Sequence, residues 1–161
     1  MTVEQTLLRP ELGDFSSIIC LKAIIIGAED AIGDKTAAIA MISAGRKQGK
    51  ILALEQNLDN KFGSVSFAEI QEILNQILGK DGTRLCLIEK IEQEGNVFKV
   101  YSKETICSTG EAEGSLRNCT YTLGAIQGFL EVLTGQRLQG KQTESVLRGG
   151  NYDLLEYSIL N

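Results

Sequence analysis

The sequence predicts an α+β domain in which an antiparallel sheet of two hairpins carries packed helices. Three observations predict it. Helical periodicity fills the first half and returns once near the C-terminus, and two pairs of short apolar segments each surround a glycine turn. Strands and helices never alternate in the regular way that builds a parallel sheet. A chain of 161 residues buries about 68–70% of its surface on folding, so a core forms without disulfide or metal.

The elements follow in order. Residues 1–13 carry weak periodicity and the only proline, Pro10, and are expected to be an arm ahead of a single domain over 14–161. Asp14 stands where a helix cap belongs, ahead of Phe15, Ile18, Ile19, Lys22, Ile25 and Ile26; so apolar a helix is expected to be largely buried. Gly33 stops it. Asp34 is then expected to cap a second helix with the stripe Ala38, Ile42, Gly45, Gly49 and Leu52. Ser66 and Glu69 form a capping box for a third helix with the apolar side Phe67, Ile70, Ile73, Leu74, Ile77 and Leu78, ended by Gly79 and Gly82. Arg84 to Ile91 and Asn96 to Tyr101 read as a hairpin around Glu94-Gly95, and Ser102 to Arg117 as a strand end and loop. Cys119, Leu123, Ile126, Leu130 and Leu133 mark the last helix, stopped by Gly135. Arg137 to Leu147 and Tyr152 to Leu160 form the second hairpin.

Composition excludes several functions. The chain carries 16 Lys and Arg against 21 Asp and Glu, a net charge of −5, so it lacks the basic surface that phosphate neutralisation requires and nucleic acid is not an expected partner. It has no histidine, which removes Ser/His and Cys/His catalysis and mixed Cys/His zinc sites; no catalytic residue and no metal ligand set is read. Cys20, Cys86, Cys107 and Cys119 form no C-x-x-C pair, and no leader pattern opens the chain. The expectation is a cytoplasmic protein with reduced thiols, reaching a membrane only peripherally through a partner. The segment from Gly27 to Thr36 approaches a phosphate loop but has the wrong glycine spacing, with Asp34 intruding and Glu29 and Asp30 facing any anion.

Two glycine pairs, Gly45/Gly49 and Gly124/Gly128, strip one face of their helices to backbone, and each glycine costs roughly 1 kcal/mol relative to alanine. Close packing, a dimer interface included, is one compensation; backbone left open to a flat ligand is the other. Cys119, Tyr121 and Phe129 beside Gly124 and Gly128, with Cys86 and Tyr101 on the first hairpin, suit a pocket for an apolar or conjugated ligand. A plain core is the commoner use of such residues, because a free Cys behaves as a small buried hydrophobe. Glu144 alternates with Leu138 and Val146, which turns a carboxylate toward an apolar face, to line a cavity or pair with an arginine.

The order Cys119-x-Tyr121-x-x-Gly124-x-x-x-Gly128-Phe129-Leu130, Leu133-Thr134-Gly135, a strand with Glu144, a glycine turn and Glu156-Tyr157-Ser158-Ile159 resembles the 4-vinyl reductase (hydrocarbon-binding) domain. That domain is related to the ligand-binding domains of nitric-oxide signalling and Golgi transport. Ala44-Gly45-Arg46-Lys47-Gln48-Gly49 resembles the small-residue helix that precedes it. The resemblance implies an apolar cavity for a tetrapyrrole or lipid-like ligand, bound by Cys119, Tyr121, Gly124, Gly128, Phe129, Cys86, Tyr101 and Glu144. It also implies a homodimer with Gly45 and Gly49 at its interface. Family members commonly carry cysteines three residues after the Glu and eight beyond; here Leu147 and Leu155 stand there, so soft metal ligands are lost and that end of the sheet is expected to be core. The expected function is non-enzymatic binding of a small hydrophobic ligand. The alternative is a scaffold or assembly factor, for photosystem biogenesis, with a protein partner at a photosynthetic membrane.

Overall fold

The computed structural model describes Glu11 and residues 17–161, and the expected arm and the Asp14 cap lie outside these apart from Glu11. Four helices, α1 (Ile18–Ile32), α2 (Asp34–Glu55), α3 (Phe67–Leu78) and α4 (Tyr121–Thr134), accompany four strands, β1 (Leu87–Glu94), β2 (Val97–Lys103), β3 (Leu138–Glu144) and β4 (Asp153–Ile159). The sheet is antiparallel in the order β1-β2-β4-β3, so the two expected hairpins join through β2 and β4. The α+β prediction holds.

Local chemistry sets the element ends. Ser66 and Glu69 close the capping box of α3 in both directions. Gly135 ends α4 in the left-handed region, which an L side chain rarely adopts. Asn75 on α3 exchanges two hydrogen bonds with the backbone of Ile88, both 2.8 Å, at the register shift in β1. That pins α3 to the sheet edge. Two caps differ from expectation. Ser17, whose hydroxyl accepts from the Ile19 N–H, caps α1, and Gly33 occupies the N-cap of α2, placing Asp34 in the first turn.

The α4 helix is the centre of the molecule, with eleven of its fourteen residues buried between α2 and the sheet. Its glycines decide how close α2 comes. A Cβ on Gly124 would stand 2.1 Å from Ile42 O, and one on Gly128 2.0 Å from Arg46 O. The reverse holds on α2: a Cβ on Gly45 would stand 2.1 Å from Tyr121 O, and one on Gly49 1.8 Å from Ala125 O. The two pairs interdigitate, backbone against backbone within one chain. This corrects both ligand contact at Gly124 and Gly128 and a dimer interface at Gly45 and Gly49, since no surface remains on either strip for an outside molecule.

Glu131 locks the same seam. Its carboxylate accepts from Arg46 Nε at 2.7 Å and Nη2 at 2.9 Å, from the Leu138 N–H at 3.0 Å, and pairs with Lys50 at 3.2 Å. Burial opposes its ionisation, but the Arg46 guanidinium, the Leu138 amide and Lys50 outweigh that and hold it below the usual carboxylate range.

The expectation of a largely buried α1 fails. Ile25 alone is fully buried, while Ile19 is 78% and Ile24 59% exposed. The reason is the layer count: α1 flanks α2, and no described element lies on its outer side. Leu147 and Leu155 are buried as expected, Leu155 completely.

Because the seam leaves no room for a methyl, Gly49→Ala should destabilise the chain despite alanine's better helix propensity. Overpacking typically costs about 1–3 kcal/mol, and about 1 kcal/mol moves the midpoint of a domain this size by about 2–4 °C. Thermal unfolding of the variant should show that fall, whereas Gly27→Ala, where a Cβ meets nothing within 4 Å, should not.

Candidate functional site

The residues singled out from sequence divide among three places. Cys86, Cys119 and Phe129 are buried, at 2%, 2% and 1% exposure. Tyr101 lies elsewhere. It is on the open outer face of the sheet, its hydroxyl donating to Glu92 at 2.7 Å and its ring edge-on to Tyr152 at 5.4 Å, so the grouping of Tyr101 with the thiols is corrected. The alternation of β2 explains this: Phe98, Val100 and Ser102 turn inward and Tyr101 outward.

Glu144 is also placed apart. Its carboxylate accepts the N–H of Asn151 at 2.7 Å and of Tyr152 at 3.4 Å, fastening the β3–β4 turn at a shallow groove of about 510 Å3 beside Arg148 and Gly150. A register shift between Gln142 and Glu144 breaks the alternation on which the expected orientation rested. Gln142 instead reaches the segment leading into α4, accepting the Cys119 N–H at 2.7 Å.

The structure brings together Cys86, Cys107 and Cys119, all buried at the end of the sheet where the 104–120 segment crosses the start of α4. Asp153, 1% exposed, organises this corner: it accepts from Thr105 Oγ1 at 2.6 Å, Gln142 Nε2 at 3.1 Å and the Val146 N–H at 3.1 Å. Burial, with Cys107 and Asp153 close by, pushes the Cys86 thiol up. Hydrogen bonding to Cys107, then burial, does the same for Cys119. At Cys107 burial acts in the same direction, but hydrogen bonds with Cys119, Thr105 and Thr122 outweigh it and hold that thiol below the usual range; Cys86 and Cys119, protonated and buried, behave as small apolar groups.

Between α1, the 104–120 segment and the first turn of α4 lies a crevice lined by Ile25, Ile106, Cys107 and Tyr121 and by the polar Lys22, Arg117, Asn118 and Thr120. Of the expected ligand residues only Tyr121 borders it. Its volume is about 10 Å3, close to the smallest space that holds one water, so the crevice is closed. What closes it is a set of four charges. Lys22 on α1 donates to Glu111 at 2.9 Å and to the Cys107 carbonyl at 3.0 Å, while Arg117 bonds Glu111 and holds both Glu29 oxygens at 2.6 and 2.7 Å. These side chains are only 15–18% exposed. Two cations and two carboxylates thus fasten the underside of α1 to the segment that covers Cys107. Sequence periodicity could not find this latch, because Glu29 and Arg117 are 88 residues apart.

No protein-family model and no curated protein sequence matches the chain. Among solved structures it resembles the phenol-responsive sensory domain of the transcription activator PoxR, bound to phenol, with a TM-score of 0.63 and 14% identity over 90% of this chain and 75% of that one. The fold is shared. It is also similar to trafficking protein particle complex subunit 3 from Naegleria fowleri, covalently bound to palmitic acid, with a TM-score of 0.49 and 11% identity over 90% of this chain and 98% of that one. The α+β fold expected from the sequence is therefore met, and no match supports the 4-vinyl reductase assignment. Among the described residues no helix is long and apolar enough to cross a membrane.

The Lys22 hydrogen bond, with Arg117 adding to it against the cost of burial, holds the Glu111 carboxyl below the usual carboxylate range. A depressed carboxylate contributes stability that is present above its unfolded pKa of about 4.3 and is lost as pH falls through its folded value. Arg117→Met should therefore remove part of the acid dependence of unfolding below that range. It should also speed alkylation of Cys107 at neutral pH, which burial behind the latch should keep slow in the native chain; mass mapping of each thiol reads this directly.

Proposed function

We propose that the chain is a non-enzymatic binding module for a small hydrophobic ligand, admitted between α1 and the 104–120 segment when the charge latch releases. The observation that carries this reading is the closed crevice itself: Ile25, Ile106, Cys107 and Tyr121 line it beside Asn118 and Thr120, under a gate of two cations and two carboxylates. A residue set that served packing alone would not need two charges on the inner side of a helix matched by two on the segment facing it. The fold shared with a domain that binds phenol supports the same class of ligand.

The ligand is small and its body apolar. A tetrapyrrole is disfavoured by volume, since a crevice of about 10 Å3 must open widely before a macrocycle enters, and the Gly124 and Gly128 strip that would face its plane is filled by α2. A scaffold or assembly role is the second reading, favoured by the isoleucines that α1 and α2 leave exposed; nothing in the residues selects a photosystem.

The test is thermal unfolding against phenols, C8–C16 fatty acids and a bilin. A binder raises stability by RT ln(1 + [L]/Kd), about 2.7 kcal/mol at a hundredfold excess over Kd. At least one phenol or fatty acid should raise the midpoint, and Arg117→Met should speed its association. No shift with any compound would overturn the proposal, and a shift confined to the bilin would overturn the ligand class.

A further inference from the structure

Three of the four cysteines are buried together, and ligand binding in the crevice asks nothing of their chemistry. They are not equivalent. Cys86 stands directly before β1, and its N–H is held by the Leu78 carbonyl at the end of α3 at 3.2 Å. Cys107 and Cys119 both lie on the 104–120 segment, which contains no helix or strand. Of the three, Cys107 alone borders the crevice.

Polar partners converge on the Cys107 sulfur. The Cys119 thiol donates to it, and the Cys107 thiol in turn donates to Thr122 Oγ1, 4.0 Å away in the first turn of α4. A hydroxyl can turn to donate once the sulfur is ionised, and Thr122 is fully buried, so no water competes for it. Donors aimed at a sulfur favour its thiolate, which is the reactive form. Asp153 opposes this from nearby, and the donors prevail. A cysteine that only filled space would need none of these partners, and Cys86 is the buried thiol that lacks them.

Access selects the reagent. The crevice beside Cys107 has about the volume of one water, and hydrogen peroxide is larger than water by a single oxygen atom. Bulkier electrophiles are kept out by the closed latch. The chain between the two thiols has room to adjust, since Gly110 and Gly114 turn it in the left-handed region with nothing within 4 Å of a built Cβ at either. Cys86, fixed between α3 and the sheet, has no such slack.

We infer that Cys107 and Cys119 are an oxidisable dithiol, which hydrogen peroxide converts to a disulfide with Cys107 as the attacking thiol and Cys119 as the resolving one. The Cys107 thiolate attacks one peroxide oxygen; the S–O bond forms, the O–O bond breaks, and hydroxide leaves to become water with the proton Cys107 gave up. Cys119 then attacks the sulfenic sulfur. The S–S bond forms, the S–O bond breaks, and the Cys119 proton leaves with that oxygen as a second water. Two thiols are oxidised and one peroxide is reduced to two waters.

The test exposes the reduced full chain, freed of reductant, to a small excess of hydrogen peroxide at neutral pH. The reaction is stopped with catalase, the chain is unfolded in an alkylating agent, and its peptides are mapped by mass. Cys20 is exposed and can join chains to one another, so Cys20→Ser is run beside the native chain. Peptides carrying Cys107 and Cys119 should be found joined, forming about tenfold or more faster than Cys86 is oxidised, with the far-UV circular dichroism unchanged. Cys86→Ser should leave that joining intact, and Cys119→Ser should stop at a sulfenic acid on Cys107 that dimedone captures. Equal rates at Cys86 and Cys107, joining of either partner to Cys86, or no joined peptide while the chain stays folded would each overturn the inference. The native chain decides this by itself should Cys119→Ser fail to fold. Ligand assays run with reductant keep both thiols reduced, so a chain that binds no phenol or fatty acid still tests the dithiol, and the two failures are distinguishable.

Discussion

Everything in the structure is arranged around the backbone-to-backbone crossing of α2 and α4. Four glycines, two on each helix at a spacing of four, let each helix rest on the carbonyls of the other. Four glycines in helices oppose folding by roughly 1 kcal/mol each through helix propensity alone. What offsets this is the extra dispersion contact that close approach allows, with Cα–H···O contacts as a smaller contribution. With α2 that near, α4 is enclosed on one side by a helix and on the other by the sheet, and its only acid, Glu131, must be satisfied internally. Arg46, one residue after Gly45, is placed to do so.

A helix buried this deeply leaves little freedom for the elements packed on it, so opening concentrates at the periphery. The α1 helix shares one flank with α2, and no described element lies on its outer side. The 104–120 segment contains no helix or strand and is held by Asp153 from below and by the latch from above. Charges that join two loosely packed parts can be exchanged for water more readily than apolar contacts can, and this is why a gate belongs there. Burial keeps Cys86 protonated, and the hydrogen bond with Cys107, then burial, does the same for Cys119.

Much of the fold was legible in the sequence because its signals are local. The Ser66–Glu69 box and the Gly135 stop each operate within a few residues and stand where read, and the first hairpin turns at Gly95-Asn96, one residue past the Glu94-Gly95 turn expected. The glycine pairs were legible as close-packing positions, but their partner was not, since nothing in either strip states that it fits the other rather than a second molecule. Tyr101 and Glu144 were misplaced for a related reason. Which face of a strand meets the core depends on register, and the shift between Gln142 and Glu144 leaves no mark in composition. The latch was invisible because its four members come from separate parts of the chain. Hydrophobicity misled once: the isoleucines of α1 imply burial, and within one chain most of that burial is missing.

Backbone amide hydrogen exchange followed by mass spectrometry tests this hierarchy most directly. If α2 and α4 form the fixed centre and the gate lies at the edge, the middle of α4 should exchange only with global unfolding. Peptides from residues 18–32 and 104–120 should exchange through local opening of lower free energy. Equal protection of α1 and α4, or faster exchange in α4, would contradict it.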